Sequence, residues 1–111
     1  MIVKLAEKHE SCPELTPGAE YPVIGIEADD CRVLNDHGAP YLYPPEIFEV
    51  VDPREPAGWI VEIGDDGEKY AYPPMLNPAG FFEDFFEGKE DAVKAFWRIV
   101  NRCMLMTAQA A

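Results

Sequence analysis

Cys31 and His37, six positions apart across an expected hairpin, have the types and spacing to share a proton, the pairing that turns a thiol into a nucleophile. A plainer chemistry competes for the same residues. Cys31 opens the apolar run Cys31-Arg32-Val33-Leu34, and cysteine commonly packs as a small apolar group, which favours burial over catalysis. Ser11 is the only serine, and no Gly-x-Ser-x-Gly surrounds it. Carboxylates come in adjacent pairs, Asp29-Asp30, Asp65-Asp66, Glu83-Asp84 and Glu90-Asp91. A calcium loop alternates its ligands and ends in a glutamate, and no stretch here does so. Cys12, Cys31 and Cys103 with His9 and His37 lack the paired spacing of a zinc site, His9-Glu10-Ser11-Cys12 being the nearest approach. No metal and no cofactor is expected. The enzyme reading that remains is a small cytosolic enzyme using Cys31/His37 or an acidic cation site, with no substrate indicated.

Charge gives a stronger lead. Nine basic residues face 21 acidic ones, a net charge of −12 over 111 residues. All the acids fall within residues 1–91, whereas Lys94, Arg98 and Arg102 make the last twenty residues positive. Such a field repels nucleic acid and anionic membrane surfaces and speeds encounter with basic partners. It also keeps a small protein soluble. No apolar run reaches the ~18–20 residues of a membrane span, and the start of the chain turns charged too early for a signal peptide. With an odd cysteine count and no disulfide framework, a cytoplasmic protein is expected.

The elements that must position these groups are organised around a repeated phrase. Asp36-His37-Gly38-Ala39-Pro40-Tyr41-Leu42-Tyr43-Pro44-Pro45 returns as Asp65-Asp66-Gly67-Glu68-Lys69-Tyr70-Ala71-Tyr72-Pro73-Pro74. An Asp-x-Gly turn feeds a strand whose tyrosines share a face, and a double proline stops it. The phrase reads either as an aromatic–proline surface for a partner or as packing, with packing preferred. Around the first copy, short strands are expected at residues 2–5 (with no nameable partner), 21–26, 31–34, 41–43 and 49–51, with a single 3₁₀ turn after Pro44. Around the second copy, residues 59–63 and 69–72 form a hairpin.

Leu15-Thr16-Pro17-Gly18, Tyr21-x-Val23, Asn35-Asp36-x-Gly38, Tyr41-Leu42-Tyr43 and Phe48-Glu49-Val50-Val51 resemble the small Src-homology-3-like barrels of uncharacterised bacterial and phage proteins. Some of those sit beside polymorphic toxins as immunity partners. The resemblance covers residues 15–52 and implies a bent barrel and, through the immunity type, a toxin-binding role.

Toward the C-terminus, Phe81, Phe82, Phe85 and Phe86 would place four rings on a broad helical face. Val93, Phe96, Trp97, Val100, Cys103 and Met104 follow helical spacing. Met104-Leu105-Met106 cannot all face one core, which suggests a homodimer through this helix.

The expected fold is α+β in one domain, 1–111: a barrel-like core at 15–52 (a small bent antiparallel sheet or Src-homology-3-like barrel), an added hairpin at 58–73, an aromatic helical turn at 78–87 and a C-terminal helix at 89–107. The expected function is an acidic protein-binding module, in its most concrete form an immunity-type antitoxin that occludes a basic toxin. Its contacts would be Asp29, Asp30, Asp65, Asp66, Glu68, Glu83, Asp84 and Glu87, with no direct nucleic-acid or membrane binding. The competing reading is a phage-type inhibitor that mimics nucleic acid.

Overall fold

Val3 and Leu5, two residues apart and so on one face of an extended chain, are 1 % and 0 % exposed, and they lie on an interior strand of a computed structural model that describes residues 1–110. Side chains of residues 103–110 lie outside that description, and so does the expectation for Met104-Leu105-Met106 and the homodimer. The chain divides into two compact units, Met1–Tyr72 and Pro73–Ala111.

The first unit carries a bent antiparallel sheet of seven strands: β1 (Ile2–Leu5), β2 (Glu20–Glu27), β3 (Asp30–Leu34), β4 (Pro40–Tyr43), β5 (Phe48–Asp52), β6 (Ile60–Ile63) and β7 (Lys69–Tyr72). Its main path runs β4-β3-β2-β1-β5, and the β6–β7 hairpin joins through β7 to β2. The opening segment, partnerless from sequence, is thus paired on both edges, to β2 and to β5. β2 serves several partners because its register shifts between Val23 and Gly25. Glu20, Tyr21 and Pro22 pair with β1; Val23 and, beyond the shift, Gly25, Ile26 and Glu27 pair with β3, while Ile26 meets Ala71 of β7. An extra residue in one strand bends it and sharpens its twist.

Val3, Leu5, Leu15, Tyr21, Val23, Ile26, Cys31, Val33, Tyr43 and Ala71 form the core, with Trp59 packed partly buried against it. The long connection at residues 6–19 is fastened to it by polar bonds. Gly18 N–H donates to the Leu5 carbonyl (2.8 Å), Thr16 N–H to Tyr21 Oη (2.8 Å), Thr16 hydroxyl to Asp36 Oδ2 (2.5 Å) and Tyr43 hydroxyl to Glu14 Oε1 (2.7 Å), while Tyr21 hydroxyl donates to Asp36 Oδ1 (2.7 Å). Buried polar groups need such partners. Arg32, only 5 % exposed, donates to Tyr72 Oη (2.7 Å), the Pro40 carbonyl (2.7 Å) and Glu27 Oε1 (3.3 Å).

The repeated phrase folds the same way twice: a turn, a strand, then a 3₁₀ turn headed by Pro-Pro, at Pro45–Ile47 and at Pro74–Leu76. From sequence alone, Met75-Leu76-Asn77-Pro78-Ala79-Gly80 reads as a loop or irregular turn; the structure places the second 3₁₀ turn at its start. In both strands the later tyrosine enters the interior, Tyr43 at 4 % and Tyr72 at 5 % exposure, while Tyr41 stays 47 % exposed.

The second unit contains α1 (Phe81–Phe86) and α2 (Glu90–Ala110). Phe82 and Phe85, three apart, both pack on the fully buried Phe96 at ring distances of 6.1 and 4.6 Å. Phe86 is exposed, so the four rings do not form one face. Glu90 and Asp91 occupy the first turn of α2, where carboxylates favour the helix dipole.

Candidate functional site

The loops Asp36-His37-Gly38 and Asp65-Asp66-Gly67 are built on one plan. Asn35 N–H donates to the Ala39 carbonyl (3.0 Å) and Gly38 N–H to the Asn35 carbonyl (2.9 Å); Gly64 N–H donates to Glu68 O (2.8 Å) and Gly67 N–H to Gly64 O (3.0 Å). Both are three-residue loops closed by a glycine with positive φ, 75° at Gly38 and 83° at Gly67, the conformation glycine adopts without steric cost. They differ in how the second loop residue's N–H is satisfied. In the first, Asn35 Oδ1 accepts from His37 N–H (3.0 Å) and Ala39 N–H (3.1 Å). In the second, the position of Asn35 is taken by Gly64, and Glu68 Oε2 accepts from Asp66 N–H (3.0 Å). A Cβ on Gly64 would stand 1.7 Å from Glu68 Oε1. Glu68 therefore folds back over its own turn as an internal brace.

A second acidic turn is fastened beside this one. β2 and β3 are joined by Ala28 and Asp29, both with positive φ (50° and 70°), as a two-residue hairpin demands. Asp29 N–H donates to the Lys69 carbonyl (3.0 Å) and Lys69 N–H to Asp29 Oδ1 (2.9 Å). The ammonium of Lys69 is paired with Glu55. This reciprocal pair places Asp29 and Asp30 at the same end of the unit as the base of the Asp65-Asp66 loop. The phenol of Tyr70 titrates above its usual range, through burial first and then the charges of Glu68, Glu27 and Asp29. Asp65 and Asp66 are exposed at the loop itself.

Leading away from this end, β6 is exposed along its whole length. Ile26, Ala71 and Val61 are in register across β2, β7 and β6 and so share a face. Along that row exposure goes from 7 % at Ile26 and 0 % at Ala71 to 49 % at Val61. Ile63, on the same face, is 65 % exposed, and Ile60 on the other is 38 % exposed. The apolar face of the sheet thus continues past the core onto an edge strand.

The remaining expected contacts lie elsewhere. Glu83 and Asp84 sit in the first turn of α1 and Glu87 caps its end; Lys89 bridges Asp84 (2.9 Å) and Glu87 (3.5 Å). They belong to the second unit. Cys31 and His37 are not brought together along β3. Cys31 is near the strand's start and 3 % exposed, burial pushes its thiol up, and His37 lies in the turn beyond the strand's other end. At ~3.3 Å per residue, the stretch from Cys31 to Leu34 alone spans about 10 Å. Among the described residues no group of three His, Cys, Asp or Glu side chains is arranged to hold a metal ion, and no helix is long and apolar enough to cross a membrane.

Sequence reasoning singled out Asp29, Asp30, Asp65 and Asp66, which lie on these two turns, but not the apolar edge of β6. The signal was Ile60-Val61-x-Ile63, with aliphatic residues on both faces of a strand that one partner cannot cover. Compared with known proteins, the chain matches no family model, no curated protein and no solved structure.

Proposed function

We propose that this chain is a stoichiometric protein-binding module that grips a basic partner at the hairpin end of its first unit. The observation that carries this is the doubled Asp29–Lys69 link, one bond between main chains and one from Lys69 N–H to the Asp29 carboxylate, which fixes two separately encoded acidic turns at one end of one sheet. Charges held on rigid turns focus a field better than the same charges on a mobile tail, and with a net charge of −12 they speed encounter with a cationic surface. The Src-homology-3-like reading of residues 15–52 draws on the order β4-β3-β2 and the one 3₁₀ turn leading into β5, with β1, from outside that span, between β2 and β5. The most concrete form of the proposal is an immunity-type antitoxin that occludes a basic toxin. A cytoplasmic setting suits that role.

The contacts are Asp29, Asp30, Asp65 and Asp66. Glu68 acts by holding the turn, and Glu83, Asp84 and Glu87 are a separate acidic group. A phage-type inhibitor mimicking nucleic acid remains the alternative. Its signature would be competition with DNA for a nuclease or a DNA-binding protein by carboxylates spread over both units.

The test is capture of basic proteins from the native host on the immobilised chain at low and high salt, repeated with the Asp29→Asn, Asp30→Asn, Asp65→Asn, Asp66→Asn variant. Asparagine tolerates the positive φ of position 29 and keeps an oxygen for Lys69 N–H, so the fold is retained. One basic protein held at low salt and released by the variant supports the proposal. A partner held equally by both proteins contradicts it.

A further inference from the structure

Backbone alternation fixes which groups β6 offers outward. Gly64 N–H points inward to Glu68 O (2.8 Å), and both backbone groups of Lys69 point to the β2–β3 turn. Hydrogen-bonding direction reverses at each residue of an antiparallel ladder. Glu62 and Ile60 therefore face β7, and the N–H and C=O of Val61 and Ile63 face away from it. Among the described residues β6 pairs only with β7.

Exposed edges are normally blunted by lysine, proline, a bulge or very short length. The five-residue edge strand β5 is blunted in this way: its pairing with β1 skips Val51, since Ile2 meets Asp52 and Val3 meets Val50, and Pro53 follows it. β6 is four residues long and has no lysine, proline or bulge; its one charge is Glu62. Beyond its end stand Asp65 and Asp66 at the exposed loop.

We infer that the outer edge of β6 receives an extended, lysine- or arginine-bearing segment of the partner as an added strand; this rests on the acidic-module reading above. Val61 and Ile63 exchange main-chain hydrogen bonds with the incoming segment, as in strand addition generally. Its alternate apolar side chains extend the Ile26–Ala71–Val61 row, and its basic side chains on the opposite face meet Glu62 and the loop carboxylates. Charge selects the occupant. A second copy of a chain with net charge −12 would bring like charges together along the same edge, whereas a basic segment neutralises them.

The probe is a labelled seven-residue peptide alternating lysine and valine, titrated into the full chain at low salt and followed by fluorescence anisotropy. Val61→Pro removes one outward N–H and no ladder bond to β7, a placement edge strands tolerate. Ile63→Lys leaves the backbone intact and sets a like charge against the peptide. Both variants are first checked for wild-type circular dichroism and melting temperature, and Ile63→Lys carries the test should the proline variant fail to fold. Saturable binding weakened about tenfold or more by either folded variant, a change of ~1.4 kcal/mol, supports strand addition. Unchanged binding in folded variants overturns it, and if the Asp65→Asn, Asp66→Asn variant weakens binding in that case, the acidic grip survives alone. No peptide binding also overturns it, while salt-sensitive capture of a folded basic protein would leave the module reading standing. Edge-dependent self-association of the wild type, read by sedimentation velocity, overturns it in favour of a second copy.

Discussion

The ring of Tyr72 occupies the space that a side chain at Gly25 would need: a Cβ there would stand 2.0 Å from Tyr72 Cε1 and 2.3 Å from Cδ1. The ring cannot swing aside cheaply, because its hydroxyl accepts from Arg32 (2.7 Å) and donates to Glu27 Oε1 (3.0 Å). Close approach at Gly25 is what lets β7, and with it the hairpin, lie against β2. Gly25→Ala is expected to destabilise the first unit by about 1–3 kcal/mol, the usual cost of overpacking, in urea unfolding. The penalty should shrink in a Tyr72→Ala background.

Because the two loops share a plan, their braces should be interchangeable. Glu68→Ala leaves Asp66 N–H without its acceptor and should cost about 1 kcal/mol. Gly64→Asn in the wild type collides with Glu68. Combined with Glu68→Ala it recreates the Asn35 arrangement and should recover most of the loss. A double-mutant cycle by chemical denaturation reads this as a coupling of opposite sign to the single effects.

Alkaline pH should loosen the same region. Burial pushes the Tyr72 phenol up to about 12, against the lowering effect of Arg32. A proton held more tightly in the folded state than at the ordinary value of 10.0 stabilises fully below pH 10 and ceases to do so as pH rises through about 12. Stability measured between pH 10 and 12 should therefore fall more steeply in the wild type than in Tyr72→Phe. The variant itself loses about 1–3 kcal/mol at neutral pH, since Arg32 and Glu27 each lose a partner.

Asp36 should act in the opposite pH range. Hydrogen bonds from Thr16 and Tyr21 hold its carboxyl below the usual 3.8, so its contribution is present above that value and lost as pH falls through the folded-state pKa. Asp36→Asn should flatten the acid limb of the stability profile and loosen residues 6–19, which limited proteolysis would detect.

Much of the fold was legible in local pattern. The alternation of Val3 and Leu5, the Asp-x-Gly turns and the Pro-Pro stops located nearly every strand, because turn chemistry and period-two burial are properties of a few adjacent residues. What was not legible depends on distant pairing. Nothing local says that residues 2–5 lie between β2 and β5, or that β2 bends to accept β7. The second 3₁₀ turn was legible through its twin and was missed because Met75-Leu76-Asn77-Pro78 reads as loop. For the site, the acids were visible, but their grouping depends on the Asp29–Lys69 link across 40 residues. Glu68, expected as a contact, also braces its own turn, and only the empty space at Gly64 reveals where its carboxylate goes.

The most direct measurement is amide hydrogen exchange by NMR, with and without the lysine–valine peptide at low salt. In the free protein Glu62, bonded into the ladder with β7, should exchange more slowly than Val61 and Ile63, whose N–H groups face outward. On adding the peptide, protection should appear at Val61 and Ile63, with chemical-shift changes at Glu62, Asp65 and Asp66. Saturating peptide that leaves Val61 and Ile63 exchanging as in the free chain would contradict the account.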